Sequence, residues 1–245
     1  MGLTVHFKLT ACDTVNTARA KQIVTSLQHV AENFQREGFV DKVLPVTSDP
    51  NLLRRYACDW LILPVPGEDN TSTGAEIMPL AGFIFPVNVG KDCEPLWLGL
   101  CRYPSTVRFH GKDLQTKKGA GWCFSGFCKT QFASLHGWEH FQRCHCAVVN
   151  LLAACRTAGL RVKISDEGNY WPRRSLKNLR RKLDEMNGLV AAMAGALKDG
   201  CENPDGKSGV ESPIFGHKHF ERLEAEGAPR VAPAINKLRG LLKKT

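Results

Sequence analysis

The chain has 245 residues, 43% of them hydrophobic and 23% charged, a globular composition that excludes wholesale disorder. No run approaches the ~20 continuous apolar residues of a membrane span, which excludes an α-helical membrane protein. The net charge of +9 is uneven: Arg156, Arg161, Lys163, Arg173, Arg174, Lys177, Arg180, Arg181 and Lys182 face only Asp166 and Glu167 over the same stretch. That excess reads either as a solvated face or as a patch for phosphate or nucleic acid.

The opening MGLTVHFKLTACD lacks the basic and apolar regions of a secretory signal. Val5 and His6 also fill the slot where a myristoylation motif needs Ser or Thr. A cytoplasmic location is expected. Cysteines such as Cys58, Cys101 and Cys155 are scattered through apolar segments, as reduced core thiols are, rather than spaced through the loops of a disulfide scaffold, and the ten are read as reduced.

In chain order, Thr4 to Leu9 alternates as a strand, apolar at Val5, Phe7 and Leu9. Asp13 is placed to cap a helix with the stripe Ile23, Leu27, Val30 and Phe34, ended by Gly38. Phe39 to Val46 reads as the next strand, so the chain opens on a β-α-β unit. Trp60 to Val65 reads as a buried strand, Pro66 to Thr73 as an exposed loop, and Gly82 to Val89 and Leu96 to Tyr103 as two more strands. Lys112 to Gly121 reads as a polar loop, and Trp122 to Phe132 as a strand.

A helix from Trp138 to about Ala158 follows, with Phe141, His145, Val148, Leu152 and Cys155 on one stripe; Gly159 stops it and Leu160 to Ile164 makes a strand. From Ser175 the stripe Leu176, Leu179, Leu183, Met186, Val190, Met193 and Leu197 is unbroken, and the small residues Ala191, Ala192, Ala194, Gly195 and Ala196 allow close packing. Residues 201–213 read as a linker, followed by short helices at His217 to Glu226 and Pro233 to Lys244, the last one basic and amphipathic. The expected architecture is an α+β domain over 1–200, with a mixed sheet opened by the β-α-β unit and helices packed on it. A linker and a basic helical C-terminal extension occupy 201–245.

The sequence has no P-loop, GxGxxG after a strand, HExxH or GxSxG. Chemistry-bearing residues gather instead in three segments: 121–133, 140–146 and 165–174. Three readings compete. A structural zinc on Cys123 and Cys128, or on His136, His140 and Cys144, is disfavoured, because C-x4-C is wide and Cys144 and Cys146 diverge on a helix. Nucleophilic catalysis would use Cys128 as thiolate and His145 as base, oriented by Asp166 or Glu167; against it, His145 lies on the apolar stripe of its helix. An anion site would use Lys129, Gln131, Arg143, Tyr170 and Arg173, with Asp166 and Glu167 as base or as ligands of a divalent cation.

The Met-Gly-Leu-Thr start, Leu100 to Pro104 (LCRYP), Phe127 to Ala133 (FCKTQFA), Arg143 to His145 (RCH), Ser165 to Arg173 and Glu185 to Asp199 together resemble a group of bacterial hypothetical proteins of this length. The resemblance spans about residues 1–200. It implies kinship and attaches no activity. It favours Cys128, Lys129, Gln131, Arg143, His145, Asp166, Glu167 and Arg173 over Cys123, His136, His140 and Cys146. The functional expectation is a hydrolase or transferase acting on an anionic or phosphate-bearing substrate. The alternative is a non-catalytic basic module that binds nucleic acid or a partner protein. The sequence leaves the oligomeric state open.

Overall fold

The first strand, β1 (Thr4–Thr10), alternates as its pattern requires, with Val5, Phe7 and Leu9 buried and His6 and Lys8 exposed. The computed structural model of which it is part describes residues 3–64, 72–116, 118–119, 121–200 and 210–242. Helix α1 (Thr17–Arg36) buries Ala20, Ile23, Val24, Leu27 and Ala31. Its cap is Asn16, whose side chain accepts the Arg19 amide, and not Asp13. Strand β2 is only Lys42–Val43, far shorter than 39–46.

A helix not foreseen, α2 (Pro50–Ala57), follows. Asp49 caps it by accepting the Asn51 and Leu52 amides at 2.8 and 3.1 Å, and Pro50 stands in its first turn, where no amide hydrogen is missed. Strand β3 (Asp59–Pro64) pairs with β4 (Ser72–Ile77) in a separate two-stranded sheet. It is therefore not the buried strand its apolar run suggested: Trp60 is 56% and Ile62 64% exposed.

Strands β5 (Ala81–Asn88) and β6 (Leu96–Arg102) match expectation. Where a polar loop was expected from Lys112, β7 (Thr106–Phe109) and β8 (Lys112–Gln115) form a small hairpin. Strand β9 (Trp122–Lys129) gives way to a 3-10 turn over Gln131–His136, and α3 (Trp138–Ala154), β10 (Arg161–Asp166), α4 (Leu176–Gly200) and α5 (Phe220–Leu242) complete the chain.

The main sheet has the order β10-β1-β9-β6-β5-β2 and pairs antiparallel throughout, so it is not mixed. The opening β-α-β unit makes no parallel neighbours, because β1 and β2 lie at distant places in the order. Helices α1 and α3 pack on one face, where Val5, Leu9, Phe85, Leu98 and Phe124 meet Leu27, Phe141, Val148 and Leu152. The class is α+β with a helical C-terminal part, and no helix among the described residues is long and apolar enough to cross a membrane.

Helix α5 runs antiparallel-hairpin fashion along α4 after 210, and Ala191, Ala194, Ile214 and Leu223 make a second small core there. Contact is close at one pair of glycines: a Cβ on Gly227 would stand 1.9 Å from the Gly188 carbonyl oxygen. Two short helices were expected in this region, yet α5 is continuous through Pro229 and Pro233. Both prolines are exposed and four residues apart, on the solvent side of the helix, and each leaves one carbonyl of the preceding turn without an amide partner. The side chains of 234–245, which carry the amphipathic pattern expected there, lie outside the described residues.

Candidate functional site

On β10 the residues Val162, Ile164 and Asp166 share the helix-covered face, because side chains alternate along a strand. Asp166 thus enters the core beneath α3, and there it meets His145. His145 Nε2 lies 3.0 Å from Asp166 Oδ1, and the Thr130 hydroxyl lies 2.9 Å from His145 Nδ1. These partners set the tautomer: Nε2–H donates to the carboxylate, and Nδ1 accepts from Thr130. Asp166 Oδ1 also accepts the Gly168 amide at 2.7 Å, and Oδ2 accepts the Tyr170 and Trp171 amides, each at 2.8 Å.

Burial raises the Asp166 pKa, but the hydrogen bond from His145 and the Trp171 and Gly168 amides outweigh it and hold the carboxyl below its usual range. The packing is tight. A Cβ on Gly168 would come within 2.9 Å of the His145 ring and 2.6 Å of Leu179.

Thr130, His145 and Asp166 have the hydroxyl, imidazole and carboxylate order of a nucleophile, base and orienting group. Thr130 and His145 are nonetheless 0% exposed, and so is the Asp166 side chain. A substrate has no route to them. Their chemistry is that of a buried polar tie, in which every donor and acceptor is matched and the middle of α3 is pinned to the end of β10 and the loop after it.

Cys128 is 0% exposed and its thiol donates to the Glu94 carbonyl at 3.1 Å, not to His145. Burial pushes its pKa up, the opposite of what a nucleophilic thiolate needs. Lys129 lies on the other face of β9 and pairs with Glu94 at 3.3 Å.

The anion-contact residues do not converge either. Gln131 is buried; its Oε1 accepts the Leu3 amide and its Nε2 donates to Asn187, which donates in turn to Ser134. Arg143 donates to the Gly38, Phe39 and Val89 carbonyls and to Asp41 at 3.1 Å, and it has little left for a ligand. Tyr170 stacks under Arg174, which also covers Trp171 and donates to Asn150 at 2.7 Å. Arg173 is exposed. Glu167 points away from Asp166, accepts the Thr4 amide at 2.9 Å and lies 3.7 Å from His6 Nε2.

His136 bonds Asp92 at 2.5 Å, and His140 bonds the Lys91 carbonyl and lies 3.7 Å from the Cys144 sulfur. Among the described residues no three His, Cys, Asp or Glu side chains converge as a metal-ligand set.

The sheet face away from α1 and α3 was missed from the sequence. Over β5 and β6 it is covered by α2: a Cβ on Gly82 would strike Leu53, and Tyr56 stacks on Trp97 at 3.9 Å. Over Ser125 and Phe127 of β9, and over β1 and β10, it is open, while Cys123 at the start of β9 is buried, and the register arranges the face in rows. Lys8 stands between Ser125 on β9 and Lys163 on β10; the next row is Phe127, His6 and Ser165, and the row on the other side is Cys123, Thr10 and Arg161.

Lys8, Arg161 and Lys163 are exposed and have no acidic partner among the described residues. Lys118 borders the same face, paired with Asp59; burial lowers its pKa and the charge of Lys8 lowers it further. Two lysines directly opposite on antiparallel strands repel, so this arrangement works against stability.

The rest of the basic stretch is dispersed. Arg156 covers Trp171, Arg180 covers Trp138, and Arg181 and Lys182 both bind Glu185. A groove between α4 and α5 takes in Lys177, Arg180, Arg181 and Arg230, but Asp184, Glu185 and Glu226 offset most of that charge. Comparison with known proteins finds no matching family model, no matching curated protein and no matching solved structure.

Proposed function

We propose that this chain is a non-catalytic basic module that binds nucleic acid through the open face of β9, β1 and β10. One observation carries the reading: Lys8 and Lys163 are directly opposed across two strands, flanked by Arg161, with no acid to neutralise them among the described residues. A polyanion is the natural counterion for such a row, and its phosphates would relieve the repulsion that the fold tolerates. The hydrolase or transferase reading has less support, because His145, Asp166 and Cys128 are sealed and Lys129 and Arg143 are already paired. The nine described cysteines, all free thiols, support a reducing, cytoplasmic setting.

The test is fluorescence anisotropy with a labelled oligonucleotide of about 10 nucleotides, titrated across a range of salt concentrations. The reading expects log affinity to fall linearly with log salt, and Lys163→Glu to flatten that slope by about 1 and weaken binding at all sequences alike. Salt-independent binding, or a Lys163→Glu protein that binds as the parent does, would remove it.

A further inference from the structure

The same open face carries two aromatic rings that a purely electrostatic surface does not need. Phe127 is 53% exposed and the His6 side chain 52% exposed, directly opposite each other on β9 and β1. Their ring centroids lie 6.0 Å apart with planes inclined at 44°, so the rings are tilted rather than stacked on each other, and about half of each side chain remains exposed. A phenylalanine half in water on the polar side of a sheet gains little for the fold, since alternation would fill that position with a polar residue.

The neighbours of the rings complete the chemistry. Lys8 and Lys163 form the next row along the strands. Ser165 stands opposite His6 on β10 in the row of the rings, Ser125 lies in the lysine row two residues from Phe127, and the Glu167 carboxylate lies beside His6. Aromatic faces take unstacked bases, cations take the phosphates that follow, and hydroxyl and carboxylate groups can bond a ribose 2′-hydroxyl. A duplex offers none of its base faces to such a surface, because they are stacked inside it.

We infer that the open face is a stacking platform for single-stranded RNA, with Phe127 and His6 receiving bases and Lys8, Lys163 and Arg161 receiving the backbone. This rests on the nucleic-acid reading above and adds to it the strandedness and the sugar. An acidic peptide would satisfy the lysines but leave both rings without a partner.

The experiment uses the full chain and an oligouridylate of about 10 nucleotides, with the same-length abasic ribose-phosphate oligomer, the deoxy oligomer and an RNA duplex as competitors. Phe127→Ala is expected to weaken oligouridylate binding by about 5- to 150-fold, and Phe127→Tyr to restore most of it, both with an unchanged thermal midpoint. The abasic, deoxy and duplex competitors should each displace the probe less well than unlabelled oligouridylate does.

If Phe127→Ala binds like the parent, or if the abasic, deoxy or duplex competitor matches oligouridylate, the platform is wrong. In that event a persisting salt slope that Lys163→Glu still flattens would leave the basic-module reading standing. If no nucleic acid binds at all, both fall together.

Discussion

The two faces of the β9-β1-β10 sheet differ in how they treat polar groups. On the helix-covered face, three polar side chains (Thr130, His145 and Asp166) are fully buried and fully matched. On the open face, Lys8, Lys163 and Arg161 are unmatched by any acid among the described residues, and Phe127 and His6 are exposed. The contrast separates structural from functional polarity. A buried polar group is kept only if its partners are supplied internally, whereas an unsatisfied and mutually repelling set at the surface is stable only weakly and calls for an external partner.

The largest effect expected from this contrast lies on the buried side. His145→Ala leaves the Asp166 carboxylate buried without its main side-chain partner, and should lower unfolding free energy by about 3–5 kcal/mol in urea denaturation. The protein that remains folded should bind nucleic acid as the parent does. Lost binding at unchanged stability would instead put His145 in a ligand site.

A smaller effect follows from the Asp166 carboxyl, whose pKa is held below its unfolded value. Its contribution should be fully present above about pH 4 and be lost as pH falls through the folded value. Thermal midpoints measured from neutrality downward should therefore fall below about pH 4, and Asp166→Asn should flatten that dependence. An equally steep acid limb in Asp166→Asn would assign it to other carboxylates.

The sequence made some of this visible and hid the rest for definite reasons. The alternation of Val5, Phe7 and Leu9 with His6 and Lys8 was legible, because a strand with one covered face writes its period into the chain. The stripe of α4 was legible for the same reason, at the helical period. Asp166 and Glu167 looked equivalent in a polar turn, yet the strand parity of β10 sends Asp166 into the core and Glu167 outward. That distinction depends on where the strand ends, and Asp166 is its last residue.

Phe127 was obscured because β9 is apolar on both faces: Trp122, Cys123, Phe124 and Cys128 are all buried, so the exposed position does not break a pattern. The opposition of Lys8 and Lys163 could not be read at all. It comes from pairing strands more than 150 residues apart in the chain, and no local period encodes register at that range. The basic stretch from Arg156 to Lys182 misled for the opposite reason. Contiguous in sequence, it is divided in space among aromatic rings, Glu185 and the open face.

The most direct test of the two-face account is Lys8→Glu, read out twice on one protein. The substitution converts a repelling cross-strand pair with Lys163 into an attracting one. Unfolding free energy is therefore expected to rise by about 0.2–1 kcal/mol. Affinity for oligouridylate should fall by about tenfold or more, with a shallower salt slope. A variant that is less stable, or that binds oligouridylate as tightly as the parent, would contradict the claim that the open face is held in its repelling state for a polyanionic partner.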